Sequence, residues 1–138
     1  MKRLIIGLVL FISASGASAY EGHPKEQVAQ FFKDLSSDKP TQAVDNLYSS
    51  NPVMSQKIQQ LTLLKQQLGA VSTLYGKIIG TENIHYEELS PSLIRIVEIA
   101  KHELHPVAWE FYFYKPSESW IISQGLFADQ FQVIGKKK

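Results

Sequence analysis

Val107-Ala-Trp-Glu-Phe-Tyr-Phe-Tyr114 alternates at every step. In an extended chain Val107, Trp109, Phe111 and Phe113 fall on one side, and Ala108, Glu110, Tyr112 and Tyr114 fall on the other. A helical turn would scatter the four apolar residues round its axis. The stretch therefore reads as a strand with one face against a core and one amphipathic face. Its neighbours have the same character. Leu93 to Lys101 is rich in Ile and Val and reads as the preceding strand, joined through Glu103-Leu104-His105-Pro106. Lys115-Pro116-Ser117-Glu118 makes a turn into a last strand from Trp120 to Phe131. Upstream, Tyr75 to Leu89 reads as one long strand, or two with a bulge near Gly80.

Before Leu74 the period is helical. Val28, Phe31, Phe32 and Leu35 recur at three-four spacing behind Pro24, so a helix runs from about Pro24 to Leu35. A short second helix after Pro40 carries Ala43, Val44, Leu47 and Tyr48. Asn51-Pro52 repeats the cap-then-proline signal and opens a third helix. That helix lines up Met54, Ile58, Leu61, Leu64 and Leu68 and is expected to end at Gly69. Helices first, then hairpin-linked antiparallel strands, is an α+β arrangement. The helices are expected on one face of a strongly curved sheet of four to five strands, a half-open cone with room for a pocket.

The register of the strand before Val107 decides which polar group enters the cone. A two-residue turn at Glu103-Leu104 pairs His102 with His105, and hence Glu98 with Trp109, which turns Glu98 inward. A slip of one residue sends Arg95 inward opposite Phe113 instead. Two-residue hairpins are the commoner kind, although Glu-Leu is not a favoured turn pair. An inward Glu98 has a raised pKa unless it is paired, and the hydroxyls of Tyr48, Tyr75 or Tyr86 are the candidate partners.

These features resemble the nuclear-transport-factor-2-like superfamily. The resemblance rests on the Phe31-Phe32 helix, the short helix ending Leu47-Tyr-Ser-Ser-Asn-Pro52, the Gln-rich third helix, and the pair Trp109-Glu-Phe-Tyr-Phe-Tyr-Lys-Pro116 and Ser119-Trp-Ile-Ile122. It covers residues 24 to 131 and is similar to a group of small secreted bacterial members. The resemblance implies a cone-shaped α+β domain, an interior pocket and frequent dimerisation through the outer sheet face. Catalytic members use an Asp–His pair or a Tyr–Asp arrangement, and no position here matches either, so no catalytic residue is carried over.

Glu98, Trp109, Phe111, Tyr75 and Tyr86 are the candidate ligand-binding residues, with a small apolar molecule as the ligand. Glu110, Tyr112, Tyr114 and Arg95 on the outer face are the candidate homodimer interface. The alternatives are a small lyase or isomerase with Glu98 as general acid or base, and a structural homodimer with a filled cone. His102 and His105 suggest a metal only superficially, since they straddle a turn that reads as exposed, and no metal is expected. Gly-rich phosphate loops, nucleophile elbows and dinucleotide fingerprints are absent, so no cofactor is expected.

Residues 1–19, MKRLIIGLVLFISASGASA, combine Lys2 and Arg3, an apolar run from Leu4 to Ile12, and Ala17-Ser18-Ala19. This is the pattern of a secretory signal peptide cleaved before Tyr20, and it predicts a periplasmic or extracellular protein. The run is too short for a membrane span. The full chain of 138 residues holds 14 basic and 13 acidic side chains. Without residues 1–19 and their Lys2 and Arg3, 119 residues remain with 12 basic against 13 acidic. That balance argues against a nucleic-acid partner, which needs a basic face. Lys136-Lys137-Lys138 is the only basic cluster and reads as a solvated terminus. With no cysteine, the mature chain, 20–138, must fold as one domain on packing alone.

Overall fold

The structure, a computed structural model, describes residues 20–129. The expected signal sequence at 1–19, the expected end of the last strand at Phe131 and the lysine tail at 136–138 lie outside the described residues.

His23 and Pro24 start the first helix. The His23 ring accepts the Lys25 N–H through Nδ1 at 3.1 Å, and Pro24 occupies the first turn, where its missing N–H leaves nothing unpaired. Helix α1 spans Pro24–Ser36 and buries Val28, Phe31 and Phe32. Asp38 follows with a positive φ of 59°. Helix α2 spans Pro40–Tyr48 and buries Ala43, Val44, Leu47 and Tyr48.

The third helical region departs from the expected single helix. It divides into α3, Pro52–Ser55, and α4, Ile58–Tyr75. Both pieces contact α2. Asn51, which caps α3 by accepting the Val53 N–H at 3.1 Å, also donates to the Ile122 carbonyl at 2.7 Å and so ties the start of α3 to the last strand. Lys57, at φ −80° and ψ 61°, makes the corner between them. Gly69 does not end the helix. It sits on an open face with no atom within 4 Å of where a Cβ would stand. A single exposed glycine costs a helix only about 1 kcal/mol, so the helix runs through it. The true stop is Gly76, at φ 84°, where an added Cβ would lie 3.1 Å from the Glu103 Cβ.

Four strands follow: β1 Ile78–Ser90, β2 Leu93–His102, β3 Pro106–Tyr114 and β4 Ile121–Ala128. They form one open antiparallel sheet in the order β1-β2-β3-β4. Glu98 pairs with Trp109 and Arg95 with Tyr112, the register that follows from matching His102 to His105. The inner face therefore carries Ile94, Ile96 and Ala100 from β2 and Val107, Trp109, Phe111 and Phe113 from β3, all buried. These meet Phe31 and Phe32 of α1 edge to face. The Phe31 centroid lies 5.1 Å from Trp109 and 5.7 Å from Phe111. Helices on one face of an unclosed, curved antiparallel sheet is the α+β class expected.

The two outer strands of the sheet are treated differently. Along β4 the α2–α3 junction supplies side-chain partners. Asn51 takes the Ile122 carbonyl, the Ser50 hydroxyl accepts the Ile122 N–H at 3.3 Å, and the Tyr48 hydroxyl donates to the Gly125 carbonyl at 3.3 Å. Strand β1 is the opposite edge, and its residues 81–85 are exposed in succession.

Candidate functional site

Helix α4 is rich in Leu, yet Leu68 is its one buried residue. Leu61, Leu64, Val71 and Tyr75 are only partly covered. The reason is geometric. The helix packs chiefly on α2 and stands off from the sheet. A cavity of about 610 Å³ opens in the gap. Its apolar lining is Trp109 from β3, Leu68 and Val71 from α4, Leu35 from α1 and Ile78 from β1. Its polar lining comes from Ser36 to Asp38 at and just past the end of α1, from Ser72 of α4, and from Lys77, His102 and Glu103. A volume of this size is within the range of about 300–1,000 Å³ that holds small molecules.

The polar groups of the α4–β1 link and the β2–β3 hairpin are tied together. His102 Nδ1 lies 2.8 Å from the Gly76 carbonyl, which can only accept, so Nδ1 is the donor. Glu103 Oε1 accepts the Lys77 N–H at 3.1 Å, and the Glu103 N–H donates to the Lys77 carbonyl at 3.0 Å. The link between α4 and β1 is thereby pinned to the β2–β3 hairpin. Tyr75 stacks on His105 with centroids 4.6 Å apart and meets His102 edge to face at 6.4 Å.

The predicted ligand residues are not gathered in one place. Trp109 lines the cavity. Phe111 stacks parallel to Trp109 at 5.7 Å but is fully buried in the core. Glu98 is on the inner face, opposite Trp109, and half-buried. Its Oε1 accepts from Asn83 Nδ2 at 2.9 Å. The partner is thus an amide and not one of the expected tyrosines. Their hydroxyls are engaged elsewhere: Tyr48 at Gly125, Tyr75 with Asp129 at 2.6 Å, and Tyr86 with Glu88 at 3.3 Å. Tyr86 also lies under Lys25, whose Nζ is 4.2 Å from the ring centroid.

On the outer face, Glu110 Oε1 accepts from both Arg95 Nε and the Tyr112 hydroxyl, each at 2.7 Å. The hydrogen bond to Glu110 holds the Arg95 guanidinium above its ordinary pKa, and burial followed by the same carboxylate raises Tyr112. Tyr114 extends the row and is 45% exposed.

His102 is a correction to the exposed-turn reading. It is buried, at the inner end of β2. It shares the parity of Glu98, Ile96 and Ile94, so the register that turns Glu98 inward also turns His102 inward. That signal was present in the strand text. The contribution of Ser36 to Asp38 had no comparable signal, because a helix end meets the cavity only through the tertiary fold. Among the described residues no three His, Asp or Glu side chains converge on a metal position.

No protein-family model matches the chain, and no curated protein and no solved structure matches it.

Proposed function

We propose that this chain is an exported binding domain that holds a small, mainly apolar molecule in the cavity beneath α4, on a nuclear-transport-factor-2-like cone. The cavity carries the reading. It is large enough for a ligand, and its lining sets an indole and four aliphatic side chains beside polar groups from the end of α1, from α4 and from the β2–β3 hairpin. Such a mixture suits a molecule with an apolar body and a few hydrogen-bonding groups. Glu98 lies outside the lining and its carboxylate is occupied by Asn83, which favours binding over acid–base chemistry at that residue.

The test is the neutral fluorescent probe N-phenyl-1-naphthylamine. Saturable binding of one probe per chain is expected, with enhanced emission. Val71→Trp narrows the cavity and is expected to weaken binding by about tenfold or more, equivalent to about 1.4 kcal/mol. Absence of saturable binding, or equal binding by a folded Val71→Trp protein, rejects the reading.

Export is supported by the pattern of residues 1–19 and by Tyr20 itself. Tyr20 is buried, and its hydroxyl donates to Asp34 Oδ2 at 2.5 Å. Cleavage before Tyr20 would keep this anchor. Protein recovered outside the cytoplasm is expected to begin at Tyr20 by intact mass. An uncut chain, or one that has lost Tyr20, contradicts this.

A further inference from the structure

Strand β1 loses step with β2 three times. Each time, a single residue of β1 has no partner: Ile79 between Ile78 and Gly80, Ile84 between Asn83 and His85, and Leu89 between Glu88 and Ser90. The same three residues are the large exposed apolar side chains of the strand, at 68%, 52% and 44% exposure. They recur every five residues. The strand that carries them is the outer one of the sheet, on the side where no α2–α3 side chains are placed.

Bulges ordinarily guard an edge, because an inserted residue throws a regular incoming strand out of register. A second copy of the same strand is the exception. Run antiparallel about a twofold axis at Ile84, the two strands place Ile84 opposite Ile84 and Ile79 opposite Leu89. Every inserted residue then faces an inserted residue, and the count along both strands stays level. The charges agree with this register. Glu82 faces Tyr86, Glu87 faces Thr81 and Glu88 faces Gly80. A slide of one residue in one direction sets Glu82 against Glu87, and a slide of two in that direction sets it against Glu88, which opposes like charges directly; a slide in the other direction parts the inserted residues instead. We propose that β1 pairs antiparallel with β1 of a second copy of this chain about Ile84, joining two four-stranded sheets into one continuous sheet across a twofold interface.

The chain has no cysteine, so a single introduced thiol reports the contact cleanly. Directly opposed residues have Cβ atoms about 4.5–5.5 Å apart, near disulfide range. Under glutathione disulfide, Ile84→Cys is expected to form a covalent dimer at least about tenfold faster than Leu104→Cys, since pairing raises the local thiol concentration. Leu104 is a fair control because it is 77% exposed at the distant hairpin tip. Ile84→Glu opposes two carboxylates on the axis and is expected to weaken the dimer by about a hundredfold in sedimentation equilibrium. Its circular dichroism and urea midpoint should stay near wild type, because Ile84 is exposed and unpaired on β2. A wild-type monomer at the highest soluble concentration, equal cross-linking at positions 84 and 104, or an Ile84→Glu dimer as tight as wild type overturns the proposal.

Discussion

Phe31→Ala is expected to destabilise the domain by about 3–5 kcal/mol, the usual cost of removing a fully buried aromatic ring. Phe31 is completely buried. It touches Phe32 at 5.3 Å, Trp109 at 5.1 Å and Phe111 at 5.7 Å, each edge to face. One ring therefore joins α1 to the middle of β3. Its loss leaves a cavity walled by stiff aromatic side chains that collapse poorly, and it also removes three favourable ring pairs. Against a total stability of about 5–15 kcal/mol, this is a large fraction. Urea unfolding followed by tryptophan fluorescence measures it. Phe31→Leu should recover much of the loss, because an aliphatic side chain refills most of the space. A Phe31→Ala midpoint close to wild type would mean that α1 does not dock on β3, and the cavity bounded by Leu35 and Trp109 would lose one of its walls.

Alkaline pH is expected to have the next largest effect. Burial pushes the Tyr48 hydroxyl from 10.0 up to about 12. Tyr20 is raised further, first by burial and then by its hydrogen bond to the Asp34 carboxylate. Both groups hold their protons more tightly in the folded chain than in the unfolded one. Below pH 10 both states are protonated and the stability is fully present. Between pH 10 and about 12 the unfolded chain gives up its phenolic protons first, so unfolding is drawn forward and stability falls. For Tyr48 alone the loss reaches about 2–3 kcal/mol at the top of that window. Urea midpoints at intervals from pH 9 to 12 should decline steadily. Tyr48→Phe should flatten the decline, at the expense of about 1 kcal/mol at neutral pH from the unpaired Gly125 carbonyl. The double change Tyr20→Phe with Tyr48→Phe should flatten it further. A wild-type profile level from pH 10 to 12, or a Tyr48→Phe profile as steep as wild type, would show that the hydroxyl is not buried as described.

Much of this architecture was legible before any tertiary contact was known. The period-two text of Val107 to Tyr114 placed Trp109, Phe111 and Phe113 on one face, and all three are buried. Counting residues through the Glu103-Leu104 link put Glu98 opposite Trp109, where the ladder has it. Pro24 and Pro40 marked helix starts correctly because a first turn tolerates the missing N–H whatever surrounds it. Gly69 misled for the same local reason. Glycine is a good stop signal, but helical hydrogen bonds on either side of it outweigh its small intrinsic penalty.

The sequence by itself determined the helical or extended period of the main elements and the inner face of β3, and it narrowed the pairing of β2 with β3 to two registers, of which the two-residue turn favoured the observed one. These are set by backbone geometry and by short links, which act over a few residues. The tertiary structure alone decided where α4 lies, and with it the cavity and the choice of Asn83 as the partner of Glu98. It also decided which edge of the sheet is left open. Those outcomes depend on how far one helix stands from a sheet and on three single-residue insertions in β1. Such distances arise from packing between segments far apart in the chain, and no local pattern records them.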